Sequence, residues 1–496
     1  MYKMDNIENI GTRRELLVDE YFIHSTTAKL VLHQPTKQEI CFRFDAPYEG
    51  TQTGYQVIIH DGEKYRLYYT AKDSTSPDGK KYFRDRPRYV CCIESTDGTN
   101  WVRPSLGIIE YENSKDNNIV FDKTEYDNTT KLDNFIPFID TNPSCPADQK
   151  YKAFEGGWGR LSVYKSSDGY HWTPMFDKPL SIEGTFDSSN LAFWDPYRQK
   201  YWAYVRSFHN PDTDLTLSDV KNTVSNGIRD ISWCESGDFI NWSAPQMLDF
   251  GNSPDIPLYS SSITQYYRAP HMFIGFPMRY IEREWSSSYD QMSDPIHRKN
   301  RMKHDPRYGL ALTDCVFMSS RDGKSWRRTE EAYLRPGIAN EYNWIYWDGD
   351  ISIGMCETES SVKGEPKEIS VYSCEKYWKD SIELRRYTIR PDGFMSLYAD
   401  GKGHETSTKT FVFEGNSLTL NVSTTIIGGM KIEFQDISGN TIEGYSLSDC
   451  DEIIGDRLDY TVSWKGSKDI SVLAGRPVRM RFYMKDVNLY SFKFEK

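Results

Sequence analysis

Two aspartates share a local context, Phe44-Asp45 and Phe186-Asp187, and each stands ahead of an apolar run that reads as a β-strand. Asp133, beside Asn134, holds the same kind of place before Phe135-Ile136-Pro137-Phe138. Glu282 follows another apolar stretch, in Arg279-Tyr280-Ile281-Glu282-Arg283-Glu284-Trp285, and Glu357 follows Ile351 to Met355. Carboxyls set among Arg, Tyr and Trp suit glycosyl transfer, in which one acid protonates a leaving oxygen while another attacks or activates water. Asp45, Asp187 and Glu282 are therefore the candidate catalytic residues. Asp133, Asn134, Arg160, Arg229, Asp230, Arg268, Arg279, Asp314 and Glu357 are the candidate substrate contacts. A lone loop carboxylate is ordinarily a solvated surface group, so the reading rests on the set. His171, His209, His271, His297 and His304 lack metal-ligand spacing, and no G-x-S-x-G, P-loop or dinucleotide fingerprint is present. No metal and no cofactor is expected.

What positions these residues is a turn that recurs: Ser95-Thr96-Asp97-Gly98-Thr99-Asn100-Trp101, Ser166 to Trp172, Ser236 to Trp242 with Phe239 in place of glycine, and Ser320 to Trp326. The starts are 71, 70 and 84 residues apart. Repetition at a near-fixed period names an architecture, and each copy follows a β-rich run. The reading is a five-bladed β-propeller with blades of about 70 residues, each a four-stranded sheet. The fifth blade lacks the turn, Ser373 to Trp378 being its worn remnant. In such a blade the turn joins strands three and four. The starts of strands one and three and the end of strand two face the opposite end of the ring, where the candidate acids lie. Asp97, Asp168, Asp238 and Asp322 are thus structural: each carboxylate can bond its own turn's amides, and each Trp can cover a blade edge.

The 496 residues exceed one ordinary core. Residues 1–398 are assigned to the propeller and 399–496 to a C-terminal β-sandwich, from apolar runs at Thr408 to Phe413, Leu418 to Val422, Met430 to Phe434, Leu458 to Trp464, Val478 to Met484 and Leu489 to Phe494. A polar excursion from Glu282 to Arg307 stretches the last repeat and reads as a loop or short helix over one face of the ring. The net charge of −12 disfavours a nucleic-acid partner, and no apolar run spans a membrane. Aromatics at 14% suit both an all-β chain and a carbohydrate partner, since flat rings stack on sugar faces. The polar stretch Met1 to Arg14 has no apolar h-region; the expectation is a cytoplasmic protein, with a removed secretory signal as the alternative. Oligomeric state is left open.

The repeat turns, the Phe-Asp entries and the trailing β-rich segment resemble the five-bladed glycoside hydrolases, nearest in layout to family 32 and then family 43. Leu16-Leu17-Val18-Asp19-Glu20-Tyr21, Arg268-Ala269-Pro270-His271 and Leu384-Arg385-Arg386-Tyr387-Thr388 are similar to segments of bacterial family 32-like hydrolases. The motifs depart from family 32: Asp45 sits in Phe-Asp-Ala-Pro rather than Asn-Asp-Pro, and Cys234-Glu235 reverses Glu-Cys. The resemblance implies a hydrolase of a small furanoside or oligosaccharide, with Asp45 as nucleophile or base, Glu282 as acid and Asp187 holding sugar hydroxyls. A glycoside phosphorylase and a non-catalytic sugar-binding propeller are the alternatives.

Overall fold

The computed structural model describes residues 7–83, 86–127, 131–209, 227–292 and 294–496, which fall into two compact units. One comprises residues 35–265 and 271–389 and carries five blades, four of them four-stranded and the fourth blade five-stranded. Blade one is Gly54–His60, Tyr65–Lys72, Arg88–Ser95 and Ile119–Asp122; blade two is Asn134–Ile139, Tyr151–Gly157, Arg160–Ser166 and Thr173–Pro174. Blade three is Leu191–Asp195, Lys200–His209, Ile228–Ser236 and Gln246–Met247. Blade four is built on Ile263–Tyr266, Ala269–Gly275, Ala311–Ser320 and Arg327–Leu334, with Met278–Glu282 as an extra partner of its third strand. Inner strands such as Asn134–Ile139 are buried on both faces, so they read as unbroken apolar runs rather than alternating ones.

Blade five departs from the expected order. Its strands are Cys356–Thr358, Glu368–Glu375 and Ile382–Ile389, and its outermost strand is Thr36–Phe44, from near the start of the chain. Trp344 to Trp347, which leads into this blade, is a turn with Trp344 and Trp347 in the left-handed region. An isolated parallel bridge joins Val57, on the inner strand of blade one, to Ile353, which precedes the inner strand of blade five.

The four repeat turns share one hydrogen-bond pattern. Asp97 Oδ1 accepts from the amides of Thr99 and Asn100, each at 2.7 Å, while Ser95 Oγ accepts from Gly98 N at 2.9 Å. The Trp101 indole donates back to the Gly98 carbonyl at 3.1 Å. Asp168, Asp238 and Asp322 repeat this geometry. A tyrosine on the second strand of the neighbouring blade donates to the turn carbonyl: Tyr372 to Gly98, Tyr68 to Gly169 and Tyr204 to Gly323. The degraded copy is compensated. Phe239 adopts φ +66° where the others have glycine, and Phe154 replaces the tyrosine, so that two stacked rings 5.7 Å apart substitute for the hydrogen bond.

The other unit comprises residues 390–496, 266–270 and the described residues up to Gln34. The sequence reading placed the first 34 residues with the propeller. They group here because Lys29–Leu32 pairs with Met395–Ala399, Ile23–Thr26 with His404–Thr408, and Glu15–Leu16 with Arg479–Glu495. Runs expected as separate strands merge into two long ones, Ser417–Gln435 and Arg479–Glu495, paired along their length. Gly428-Gly429 accommodates a register shift rather than a reversal. Their inward residues, among them Leu420, Ile432, Phe434, Phe482, Leu489 and Phe494, form this unit's core.

Candidate active site

At the end of the ring opposite the repeat turns lies a cavity of about 320 Å³, within the size range of small-molecule sites. All five blades line it, through starts of first strands and ends of second strands. Blade one gives Gln52, Gly54, Tyr55, Thr70 and Lys72; blade two Asp133 and Trp158; blade three Asp187, Phe208 and Arg229. Blade four gives Tyr259 together with Asp305, Arg307 and Tyr308 from its excursion, and blade five gives Tyr346, Trp347 and Tyr377. Aromatic rings dominate the wall. Trp347 stacks on Tyr377 at 5.0 Å, Tyr259 stacks on Tyr280 at 5.4 Å, and Tyr346 meets Tyr259 edge-on at 5.5 Å. Gly54 permits this packing, since a Cβ there would lie 2.9 Å from the Trp347 ring. Trp158, at the tip of the hairpin between Tyr151–Gly157 and Arg160–Ser166, is 64% exposed. An indole held out at the rim of a polar cavity is a platform for a flat ligand face.

Asp187 is positioned by a locked loop. Phe186 is fully buried at φ +54°, and its carbonyl accepts from Asn134 Nδ2 at 3.1 Å and Asn190 Nδ2 at 2.9 Å. The Asn190 side-chain oxygen in turn accepts from the Arg206 amide at 3.0 Å. Gly156 makes room for this knot: a Cβ there would stand 2.4 Å from both Asn190 Nδ2 and the Phe186 carbonyl oxygen. The Arg206 guanidinium lies behind Asp187, its Nε 3.8 Å from Oδ1, yet Oδ1 is buried with no hydrogen-bond partner among the described residues. Gln52 Oε1, Thr70 Oγ1 and Trp347 Nε1 are buried and unpartnered in the same way. Groups left open on a cavity wall match a ligand rich in hydroxyls, because unpaired buried polar atoms are costly.

Asp133 stands immediately before Asn134–Ile139, with Arg88 Nη1 at 3.4 Å. Burial raises its pKa; Lys72 and Arg88 pull it back, and the Asp187 carboxylate adds to the rise. Burial also lowers the pKa of the Lys72 ammonium, with Arg88 assisting and Asp133 opposing, to about 8. Asp133 and Asp187 thus share one cavity, Asp133 between Arg88 and Lys72 and Asp187 in front of Arg206, with Asp305 as a third carboxyl on its wall.

The structure brings Asp133, Asp187 and Arg229 together and leaves the other sequence candidates elsewhere. Asp45 is exposed, at the exit of the outermost strand of blade five, where Arg103 Nη2 approaches it at 3.2 Å. The reason is topological: Thr36–Phe44 closes blade five, so Asp45 stands far from an inner-strand entry. The buried acid of that segment is Glu49, held by Arg103 and Tyr69. Glu282 ends Met278–Glu282 in an exposed position and accepts from Tyr280 Oη; it does not line the cavity. Asn134 holds the Phe186 loop. Arg160 is engaged by Asp127 and Glu155. Asp230 pairs with His209 Nδ1 at 3.0 Å, and Asp255 takes the other ring nitrogen. The hydrogen bond to Asp230 leads in raising the His209 pKa to about 9. Arg268 belongs to the other unit, where Asp392 accepts from its Nε at 2.8 Å and also from Arg14, Tyr266 and Ser491. Arg279 and Asp314 form a two-point ion pair in a separate open groove on blade four. Glu357 lies 3.6 Å from Lys367, away from the cavity.

The sequence reading missed Lys72, the Tyr and Trp entries of blades four and five, and the return of the excursion. That excursion forms Ser287–Gln291, Pro295–Met302 and Arg307–Leu310. Buried Arg298 clamps it, donating to the carbonyls of Gly309 at 2.9 Å and Trp344 at 2.7 Å, and this presents Asp305, Arg307 and Tyr308 to the cavity. Among the described residues no cluster of His, Cys, Asp and Glu could hold a metal ion, and no helix is long and apolar enough to cross a membrane.

No family model and no curated protein matches the chain. Solved structures similar to it include an N-acetylgalactosamine deacetylase from F. plautii in complex with blood group B trisaccharide, 12% identical, covering 73% of this chain and 96% of that one, with a TM-score of 0.42. A structure from the GH130 family of mannoside phosphorylases, which contains glycoside hydrolases that target β-1,2 mannosidic linkages in Candida mannan, is 14% identical over 76% and 97%, with a TM-score of 0.39. An endo-arabinase from Bacteroides thetaiotaomicron is 12% identical over 70% and 97%, with a TM-score of 0.38.

Proposed function

We propose that the chain is a carbohydrate-active enzyme that cleaves a glycosidic bond in the central cavity. Asp133 serves as the acid and Asp187 as the nucleophile or base. The observation that carries this reading is the placement of two carboxyls, at successive inner-strand entries, in an aromatic-walled cavity rimmed by exposed Trp158. Burial, outweighing the opposing charges of Lys72 and Arg88, favours the protonated form of Asp133, as a group donating to a leaving oxygen requires. Asp187 keeps an oxygen free of hydrogen bonds, as an attacking group or a base for water requires. Gln52, Thr70 and Trp347 supply donors and acceptors for sugar hydroxyls. Compared with the sequence reading, the role of Glu282 passes to Asp133 and that of Asp45 to Asp187.

The test is incubation with a panel of p-nitrophenyl glycosides and unmodified oligosaccharides, with and without inorganic phosphate. Turnover that Asp133→Asn and Asp187→Asn both remove supports the proposal. Binding across the panel with no turnover under either condition overturns it in favour of a sugar-binding propeller. Dependence on phosphate distinguishes phosphorolysis from hydrolysis.

A further inference from the structure

The three carboxylates of the cavity each face a cation: Asp133 has Arg88 at 3.4 Å, Asp187 has Arg206 at 3.8 Å and Asp305 has Arg307 at 3.4 Å. Neither Arg88 nor Arg206 lines the cavity. Arg229 and Arg307 do; Arg307 has Asp305 of the same wall 3.4 Å from its Nε, whereas Arg229 has no carboxylate at ion-pair distance among the described residues. Arg229 lies over the Tyr280 ring at 4.2 Å and within 5.7 Å of the Tyr259 ring, and no carboxylate pairs with it among the described residues. Arg307 lies 5.7 Å from the Tyr346 ring centre. Its Nε is 3.4 Å from Asp305 but is buried without a hydrogen bond. The two guanidinium groups thus flank one tyrosine cluster, Tyr259, Tyr280 and Tyr346. Within it the Tyr346 hydroxyl donates to that of Tyr259, and the Tyr259 proton finds no acceptor among the described residues.

Guanidinium groups held against aromatic faces keep their in-plane N–H donors available, and those donors suit a carboxylate or phosphate. In a chain with net charge −12, two such cations on one cavity wall are not explained by general surface charge. Arg229 has no carboxylate partner among the described residues and Arg307 has only the 3.4 Å approach of Asp305, so both keep donors that an anion would complete.

We propose that Arg229 and Arg307, with the Tyr259 hydroxyl, form an oxyanion subsite within the cavity. The subsite accepts either a carboxylate carried by the saccharide or a free inorganic oxyanion. It rests on the reading of the cavity as a saccharide site, and it adds that one bound group is anionic.

Isothermal titration at low ionic strength tests it on the full chain, with D-glucuronate, D-galacturonate and inorganic phosphate as probes and D-glucose and D-galactose as neutral controls. At least one anion should bind roughly tenfold tighter than the neutral sugars, and Arg229→Gln and Arg307→Gln should each remove that advantage, given what a charge-assisted hydrogen bond contributes. Preference for a uronate assigns the anion to the substrate, and preference for phosphate assigns it to a free co-substrate. No anion preference in the wild-type chain, or a preference unchanged in both variants, overturns the subsite. Circular dichroism of each variant separates lost binding from lost fold. Neutral-sugar binding and turnover of neutral aryl glycosides report on the saccharide reading separately, so the two can fail independently.

Discussion

The two ends of the propeller use the same residue types for opposite purposes. At the repeat-turn end, aspartates and tryptophans are saturated: Asp168 accepts two backbone amides and the Ser166 hydroxyl, and Trp172 returns its N–H to the turn. At the cavity end, Asp187 and Trp347 keep buried polar atoms with no partner, and Tyr55, Phe186 and Trp347 occupy left-handed backbone. Phe239 apart, the strained backbone gathers at the cavity end rather than in the repeat turns, the pattern expected of a functional site on a regular scaffold. Substitutions at the two ends should therefore separate stability from activity.

The largest expected effect is at the cavity. Asp133→Asn should lower turnover by about a thousandfold, the loss of a general acid, while the unfolding midpoint in urea holds. The loss should be smallest on aryl glycosides with the best leaving groups, which need least protonation. Equal losses on all leaving groups would argue against an acid.

Gly156→Ala probes positioning, because the added Cβ meets the Phe186 carbonyl that sets Asp187. A displacement of about 1 Å at a catalytic group costs roughly a hundredfold in rate, and the overpacking costs about 1–3 kcal/mol. Denaturant titration together with kcat on one substrate reads both. Wild-type kcat in this variant would uncouple the Phe186 loop from catalysis.

Lys72 gives a pH test. Its pKa of about 8 means that the ammonium beside Asp133 is lost as pH rises through that value. The kcat/KM profile should have an alkaline limb near pH 8, and Lys72→Arg should move it upward, since arginine stays protonated. A limb unmoved in the variant assigns it to another group.

At the turn end the balance reverses. Asp168→Ala should cost about 1–2 kcal/mol through lost turn hydrogen bonds, with turnover per folded molecule intact. The carboxyls of Asp97 and Asp168 resist the upward pull of burial because turn amides and neighbouring side chains donate to them, which holds both near a pKa of about 2. That stabilisation is complete above the ordinary carboxylate value of 3.8 and is lost as pH falls through about 2. Acid unfolding of Asp168→Ala should be correspondingly less steep over that window.

The smallest effect concerns the degraded turn. Phe239→Gly and Phe154→Tyr should each destabilise alone, the first by opening a cavity and the second by burying an unpaired hydroxyl. Together they restore the tyrosine–turn arrangement of the other blades and should recover about 1 kcal/mol of coupling in a double-mutant cycle.

The five blades were legible because Ser-x-Asp-Gly-x-x-Trp encodes a turn whose hydrogen bonds are nearly all local. That Asp133, Asp187 and Arg229 stand on one cavity wall was legible for a related reason, since strand order alone fixes which ends meet at the mouth. Asp45 was misplaced because the pairing of Thr36–Phe44 with Ile382–Ile389 is non-local and has no signature in either segment. Arg307 and Tyr308 were hidden because the return of the excursion depends on buried Arg298, which reads from sequence as an ordinary surface cation.

The most direct test compares Asp187→Asn with Asp45→Asn in one assay, on whichever glycoside the wild-type chain turns over. The amide keeps the shape of the carboxylate but cannot attack or take a proton. Asp187→Asn should reduce kcat by about a thousandfold or more, with unfolding free energy within about 0.5 kcal/mol of wild type. Asp45→Asn should leave kcat within about twofold, as for an exposed surface group. Full activity in Asp187→Asn, or its loss in Asp45→Asn, would contradict the placement of the chemistry in the central cavity.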